Sequence, residues 1–390
     1  MNSQPKASLS SLKHLSYSDL DILHSLRGFC AFYVVVFHAK YILWSGGRQY
    51  LDVHPRNTWS WWDYPAFLLD MLSSAGYEMV IFFFVLSGFF IRYAQLKKHR
   101  GAADFYVNRI VRIYPPYLFS AFLAAISVWL VAEGAPKAII NNGRELNEAV
   151  NGAWQDITEF NILNIVKTLG FLPLNHVYIG YNDVYWSLLP EALFYLAVPL
   201  AFWRVKVYYV LSIVVHVIGL IWVHQALPNP LLNYLFTYNI YFAVGAMLYD
   251  VIISTSWISW VKKINIYVLI YVIIFLFVVL LGLALLKLKP LSGLVAVVLA
   301  VASMSTLLTG KIPRENLLVK ALHQVGVFSF SLYLYHFPLL LLCYGGLVYL
   351  TGEVVFYARY YWLALPIVTS VAYLLYYLIE RRSINYFRKV

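Results

Sequence analysis

The sequence predicts an all-α, polytopic integral membrane protein with about ten transmembrane helices and both termini in the cytoplasm. Three observations carry that prediction. The 390 residues are 62% hydrophobic and only 12% charged, whereas a soluble domain carries roughly 25% charged residues. A soluble fold could not cover so much apolar surface. Apolar stretches of the ~20 residues needed to cross a bilayer recur along the whole chain. The basic residues between them alternate in density, as the positive-inside rule requires. With the N-terminus inside, the outer segments hold nine of the 29 Lys and Arg residues (Lys40, Arg48, Arg56, Lys137, Arg144, Lys167, Lys287, Lys289 and Arg359), leaving twenty inside. That alternation also explains the net charge of +11 without a nucleic-acid partner.

The elements follow in order. Residues 1–20 are polar and lack the apolar core of a secretion signal, and no small-residue cleavage pattern follows the first apolar run. That run, 26–44, is expected to remain as the first span. The second, 77–95, leads into a basic stretch from Arg92 to Arg112, which marks an inner segment. The third is 114–132. The longest connection, Glu133 to Tyr185, then falls outside with Glu133, Glu145, Glu148, Asp156, Glu159 and Asp183, and within it Asn147–Leu163 has a weak helical period. The remaining spans are read at 186–203, 206–224, 231–250, 265–286, 291–309, 326–350 and 358–379. No repeat or low-complexity tract interrupts them, so residues 1–390 read as one transmembrane domain. Cys30 and Cys343 both lie in apolar stretches as small hydrophobes, so neither a disulfide framework nor a metal site is expected.

The chemistry lies in the polar residues within these spans. In Leu26-Arg27-Gly28 through His38, eleven residues separate Arg27 from His38, close to three helical turns. The two share a helix face, with a rise of roughly 16 Å between them. Arg27 at the inner boundary thus places His38 near mid-membrane, where ionisable groups usually line a cavity or act. Neutral imidazole is suited to take a proton from a hydroxyl near neutral pH; a packing histidine bonded to a neighbouring helix has the same spacing. Glu191, five residues below an interfacial Trp186, is positioned to reach His38 from the other side and orient its ring. Arg109 and Arg112 stand at i and i+3, so their guanidiniums can converge on one phosphate, although basic inner ends also serve topology and lipid headgroups. His336, in Ser331-Leu332-Tyr333-Leu334-Tyr335-His336-Phe337-Pro338, reads best as a packing histidine beside a helix bent by Pro338. Ser87 and Gly88 suit close helix approach. Ser87, Trp186, Ser187, Ser331 and His336 are the residues expected to line a cavity.

Taken in order, these segments resemble the acyltransferase-3 family of membrane O-acyltransferases, in its stand-alone form. The resemblance rests on Leu26-Arg27-Gly28 with His38, on Phe83 to Phe89, on Arg109 to Tyr114, on Trp186-Ser187 followed by Glu191-Ala192-Leu193-Phe194-Tyr195, and on Ser331 to Pro338. The chain departs from the family pattern at Ile81, Pro190 and Ala192. The resemblance implies transfer of an acyl group, commonly acetyl, from cytoplasmic acyl-coenzyme A to a hydroxyl of an exported acceptor such as a sugar of a surface glycan or a lipid-linked sugar, in a bacterial inner membrane. It implies Arg27 and His38 as the family's essential pair and Arg109 and Arg112 as its paired arginines, in contact with the coenzyme. The rival reading is a proton-coupled transporter or flippase, for which intramembrane His and Glu are equally suited. Carriers tend to show matching broken helices in two halves, and no such correspondence is evident. Trp59, Trp61, Trp62 and Tyr64 in the first outer loop suit either sugar stacking or an aromatic belt.

Overall fold

The computed structural model describes residues 20–43, 51, 55–98, 101–140, 144–159, 162–172, 180–222, 229–354 and 361–388. These residues form a helical bundle: α1 His24–Leu43, α2 Asp63–Leu72, α3 Gly76–Lys98, α4 Ala102–Gly134, α5 Glu145–Thr158, α6 Ile162–Leu169, α7 Leu188–Trp203, α8 Val205–Trp222, α9 Asn239–Ser254, α10 Ile266–Leu285, α11 Lys289–Leu308, α12 Leu317–Val327, α13 Ser329–Thr351 and α14 Ala364–Leu375. A π-turn, Tyr376–Glu380, joins α14 to a final helix, α15 Arg381–Arg388.

Among the described residues nine segments are long and apolar enough to cross a membrane, and α8 is shorter by the same measure. The side-chain contacts nonetheless lay α8 alongside α9. Tyr209, near its start, donates to Asp250 close to the end of α9, whereas His216 meets the Phe236 carbonyl before α9 begins. Its 18 residues rise roughly 27 Å, and Val210, Leu211, Val214, Val217 and Ile221 stay exposed, as a lipid-facing surface would. Among the described residues α8 thus packs along α9 as a tenth apolar helix beside the nine of spanning length. The start of α1 and the end of the last span lie together, with Asp21, His24, Arg27, Tyr376 and Glu380 around one vestibule that also holds Arg109 and Arg112. This is termed the arginine end; the opposite end, which carries α2 and α5, is the loop end.

Two helix pairs lock at backbone distance. A β-carbon on Gly28 would run into the Leu322 carbonyl, and one on Gly326 into that of His24, which joins α1 to α12. Gly88 against Phe242 and Gly245 against Val85 join α3 to α9 in the same reciprocal way. The expectation of a close-approach role is met by Gly88 and not by Ser87, whose hydroxyl faces a cavity.

Prolines provide a second kind of joint. Pro338 has no N–H to offer the Leu334 carbonyl one turn back in α13. That carbonyl instead accepts from Ser120 Oγ at 2.8 Å and Asn182 Nδ2 at 2.9 Å. Pro115 likewise frees the Val111 carbonyl, which accepts from Ser383 Oγ of α15 at 2.9 Å.

The connection between α4 and α7 departs most from expectation. It carries two helices, α5 and α6, in place of one weak helix at 147–163. It also does not stay at the surface. Tyr114, near the arginine end of α4, donates to the Leu169 carbonyl, and Asn182 reaches Leu334 inside α13. Irregular backbone is tolerated at such depth only where it is enclosed by protein with its polar groups bonded, and Asn182 does this twice, its side-chain oxygen also accepting from Val184 N.

Candidate functional site

The site begins with α1, whose spacing sets Arg27 and His38 on one face. His38 is buried, and its Nδ1 lies 3.1 Å from the Val34 carbonyl and 3.0 Å from His336 Nε2. His336 is itself fully buried, with Nδ1 3.0 Å from the Leu332 carbonyl. A carbonyl can only accept, so His336 Nδ1 carries a proton and the neutral ring presents Nε2 as an acceptor. His38 Nδ1 then lies between two acceptors, Val34 O and His336 Nε2, and must be the protonated nitrogen. The tautomer assigned by this network leaves His38 Nε2 with a free lone pair. It points toward Asp183, whose Oδ2 stands 3.7 Å away. His38 side-chain exposure is 8% and that of Asp183 is 47%, so the pair lies at the boundary between the packed core and open space. Phe37 and Phe337 pack edge-on to the His38 ring, and Tyr181 packs edge-on to Phe337.

The expected pairing of Glu191 with His38 is not what the structure contains. Glu191 accepts from Tyr195 OH and, at 3.3 Å, from Ser87 Oγ. The cause is the buried connection described above. The turn Asp183–Ser187 that leads into α7 already lies at the level of His38, so Glu191, two turns further along, is too deep to meet the imidazole. The Trp186 ring stacks on Tyr77, in the first turn of α3, at 5.5 Å and packs near Tyr238 at 5.8 Å.

Glu191 instead belongs to a second polar region at the arginine end. Arg27, Ser87, Arg109, Arg112, Ser187, Glu191, Tyr195 and Tyr333 line a cavity of about 120 Å³. It merges through Arg27, Arg109 and Arg112 with the wider vestibule of about 870 Å³. None of the three arginines forms an ion pair among the described residues. Arg109 lies over the Phe105 ring at 5.7 Å and the Tyr195 ring at 5.5 Å, donates to Asn108 Oδ1 at 2.8 Å, and keeps a buried Nε without a hydrogen-bond partner. Three converging cations without a matched carboxylate, on a wide opening, form a place for an anionic ligand.

The cavity stops short of His38. Ser187 Oγ and Tyr333 OH, 2.7 Å apart, close its inner end, and Tyr333 also reaches the Val184 carbonyl at 3.2 Å. His336 follows Tyr333 by one turn, with ring centroids 6.0 Å apart. Of the residues expected to line the cavity, Ser87 and Ser187 do so. Ser331 donates to Glu380 at 2.6 Å, and His336 serves His38. Asp183, Tyr195, Tyr333 and Glu380 were not anticipated as site residues. Asp183 reads as one acid among six in an outer loop, and Glu380 as the polar edge of the last span, so only their placement distinguishes them.

A family model described as an acyltransferase domain matches residues 20–379, nearly the whole chain. No curated protein and no solved structure matches it.

Proposed function

The chain belongs to this acyltransferase family, and on that premise we propose that it transfers an acyl group, acetyl by the family's habit, from acyl-coenzyme A bound at the arginine end to a hydroxyl of an exported acceptor at the loop end. The acceptor is a sugar of a surface glycan or of a lipid-linked precursor, and the protein acts as a multi-pass enzyme of a bacterial inner membrane. The observation that carries this reading is the lone pair of His38 Nε2, fixed by His336 and directed toward Asp183 at the edge of the packed core.

Arg27, Arg109 and Arg112 hold the coenzyme's phosphates, and the cavity from them to Tyr333 receives its pantetheine arm. About 16 Å of helix separates Arg27 from His38, a distance that such an arm covers. Ser187 and Tyr333 stand at the last barrier before the imidazole and must part for the acyl carbon to reach it. His38 Nε2 takes the acceptor's proton as the hydroxyl oxygen bonds to the acyl carbon and the carbon–sulfur bond breaks. The proton then returns from His38 to the departing thiolate, so the ring ends as it began. His336 holds the tautomer throughout. Both of its nitrogens are engaged, Nδ1 by Leu332 and Nε2 by His38, so it positions the base and does not itself receive the substrate proton.

The experiment is His38→Ala in proteoliposomes of one orientation, with acyl-coenzyme A supplied to one side at a time. Acyl transfer should fall about 10²–10⁴-fold, as loss of a general base does, with coenzyme binding nearly intact. Near-normal transfer, or equal activity from either side in the wild type, overturns the reading.

A further inference from the structure

Glu191 has one oxygen engaged and one unused. Its Oε1 accepts from Tyr195 OH and, at 3.3 Å, from Ser87 Oγ, and among the described residues no hydrogen bond reaches Oε2. The carboxylate lines the cavity that runs from the arginines to the Ser187–Tyr333 barrier, between apolar walls that include Phe83, Phe84, Leu188 and Phe330. A carboxylate at such a place, with one oxygen open, calls for a donor from a ligand. Its depth identifies the donor. Glu191 stands four residues beyond Ser187 along the chain, a rise of roughly 6 Å toward the arginine end. In an acyl-coenzyme A four bonds, about 5 Å when extended, separate the acyl carbon from the nearest amide nitrogen of the pantetheine arm. With the acyl carbon at the barrier, that amide N–H lies level with Glu191.

We propose that Glu191 Oε2 accepts the pantetheine amide N–H nearest the thioester and so sets the acyl carbon at the Ser187–Tyr333 barrier. The proposal rests on the acyltransfer reading and adds to it a specific contact with the donor's arm. Ser187 and Tyr333 are bonded to each other, and Ser87 and Tyr195 spend their protons on Oε1, so Oε2 is the strong acceptor left for the ligand. An amide N–H enclosed by apolar side chains with no acceptor would lose its bonds to water without replacement. The two ends of the arm share one support. The Arg109 guanidinium lies over the Tyr195 ring at 5.5 Å, and the hydroxyl of the same tyrosine fixes Glu191. A role confined to joining α7 to α3 would need Oε1 alone.

The test compares acetyl-coenzyme A with its analogue carrying an ester oxygen in place of that N–H. Binding of each is measured by calorimetry on purified wild type, Glu191→Gln and Glu191→Leu. The wild type should bind the amide form about 10–100-fold more tightly, the range expected for one hydrogen bond to a charged group. Glu191→Leu offers no acceptor and should bind the two within about threefold of each other, with Glu191→Gln, a neutral acceptor, between. Equal affinity of the wild type for the two donors overturns the proposal, and that result needs no variant to fold. A preference that persists in both Glu191 variants also overturns it, since it leaves Glu191 only the joint between α7 and α3. Failure of the acyltransfer reading looks different: the wild type binds acetyl-coenzyme A with the amide preference, yet no acetyl group passes to a hydroxyl. Binding of neither donor by the wild type overturns both.

Discussion

His336 Nε2 lies 3.0 Å from His38 Nδ1, so the two intramembrane histidines form one unit joining the first span to α13. The direction of that hydrogen bond determines which nitrogen of His38 is basic. Replacing His336 by Ala removes an acceptor that His38 Nδ1–H uses, while Val34 O remains. Acyl transfer is expected to fall about 10–100-fold, less than for His38→Ala, with coenzyme binding unchanged. His336→Gln, whose amide oxygen can accept the same proton, should recover part of the rate. A rate within twofold of wild type in His336→Ala sinks the positioning role.

The arginines should separate from the histidines in their effects. Arg109→Ala combined with Arg112→Ala is expected to weaken acyl-coenzyme A binding by at least about tenfold. Lys at both positions should restore only part of it, because an ammonium lacks the bidentate fork that Arg presents to phosphate. Binding measured by calorimetry on purified protein decides this. Unchanged affinity in the double Ala variant would remove the anion-site assignment.

The helix pairs that hold the site are vulnerable at glycine. Gly245→Ala forces a β-carbon into the Val85 carbonyl, where backbone cannot yield cheaply, whereas Gly282 has open space around it. Overpacking of this kind typically costs about 1–3 kcal/mol. Gly245→Ala should therefore lower the thermal midpoint in detergent by several degrees, and Gly282→Ala should not. Equal midpoints for the two variants would show that α3 and α9 can slide apart without loss.

Sidedness can be read at two further glycines with room for a side chain, Gly101 at the arginine end and Gly152 in α5 at the loop end. Both positions are exposed. With Cys30 and Cys343 replaced, an impermeant thiol reagent applied to intact cells should label Gly152→Cys and leave Gly101→Cys unlabelled. The reverse pattern would invert the proposed topology and place the arginines outside.

The sequence by itself determined the class of molecule and much of its chemistry. Apolar stretches of spanning length have few structural options in a bilayer, and the phase between Arg27 and His38 follows from helix geometry alone. The basic runs located Arg109 and Arg112 at one end of the bundle, where they meet Arg27 in one cavity. What the sequence could not express was depth in the connection between α4 and α7. A loop rich in polar residues reads as surface, yet its last turn is held inside the bundle by Asn182 on a carbonyl that Pro338 leaves unpaired. That bond, with those of Tyr333 to Ser187 and Val184, exchanges the partner of His38, bringing Asp183 to the imidazole and carrying Glu191 down to Ser87 and Tyr195. The pairing of His38 with His336 across 298 residues of chain is of the same kind. Helix periodicity states which face a residue occupies, and only the packing of one helix on another states what that face meets.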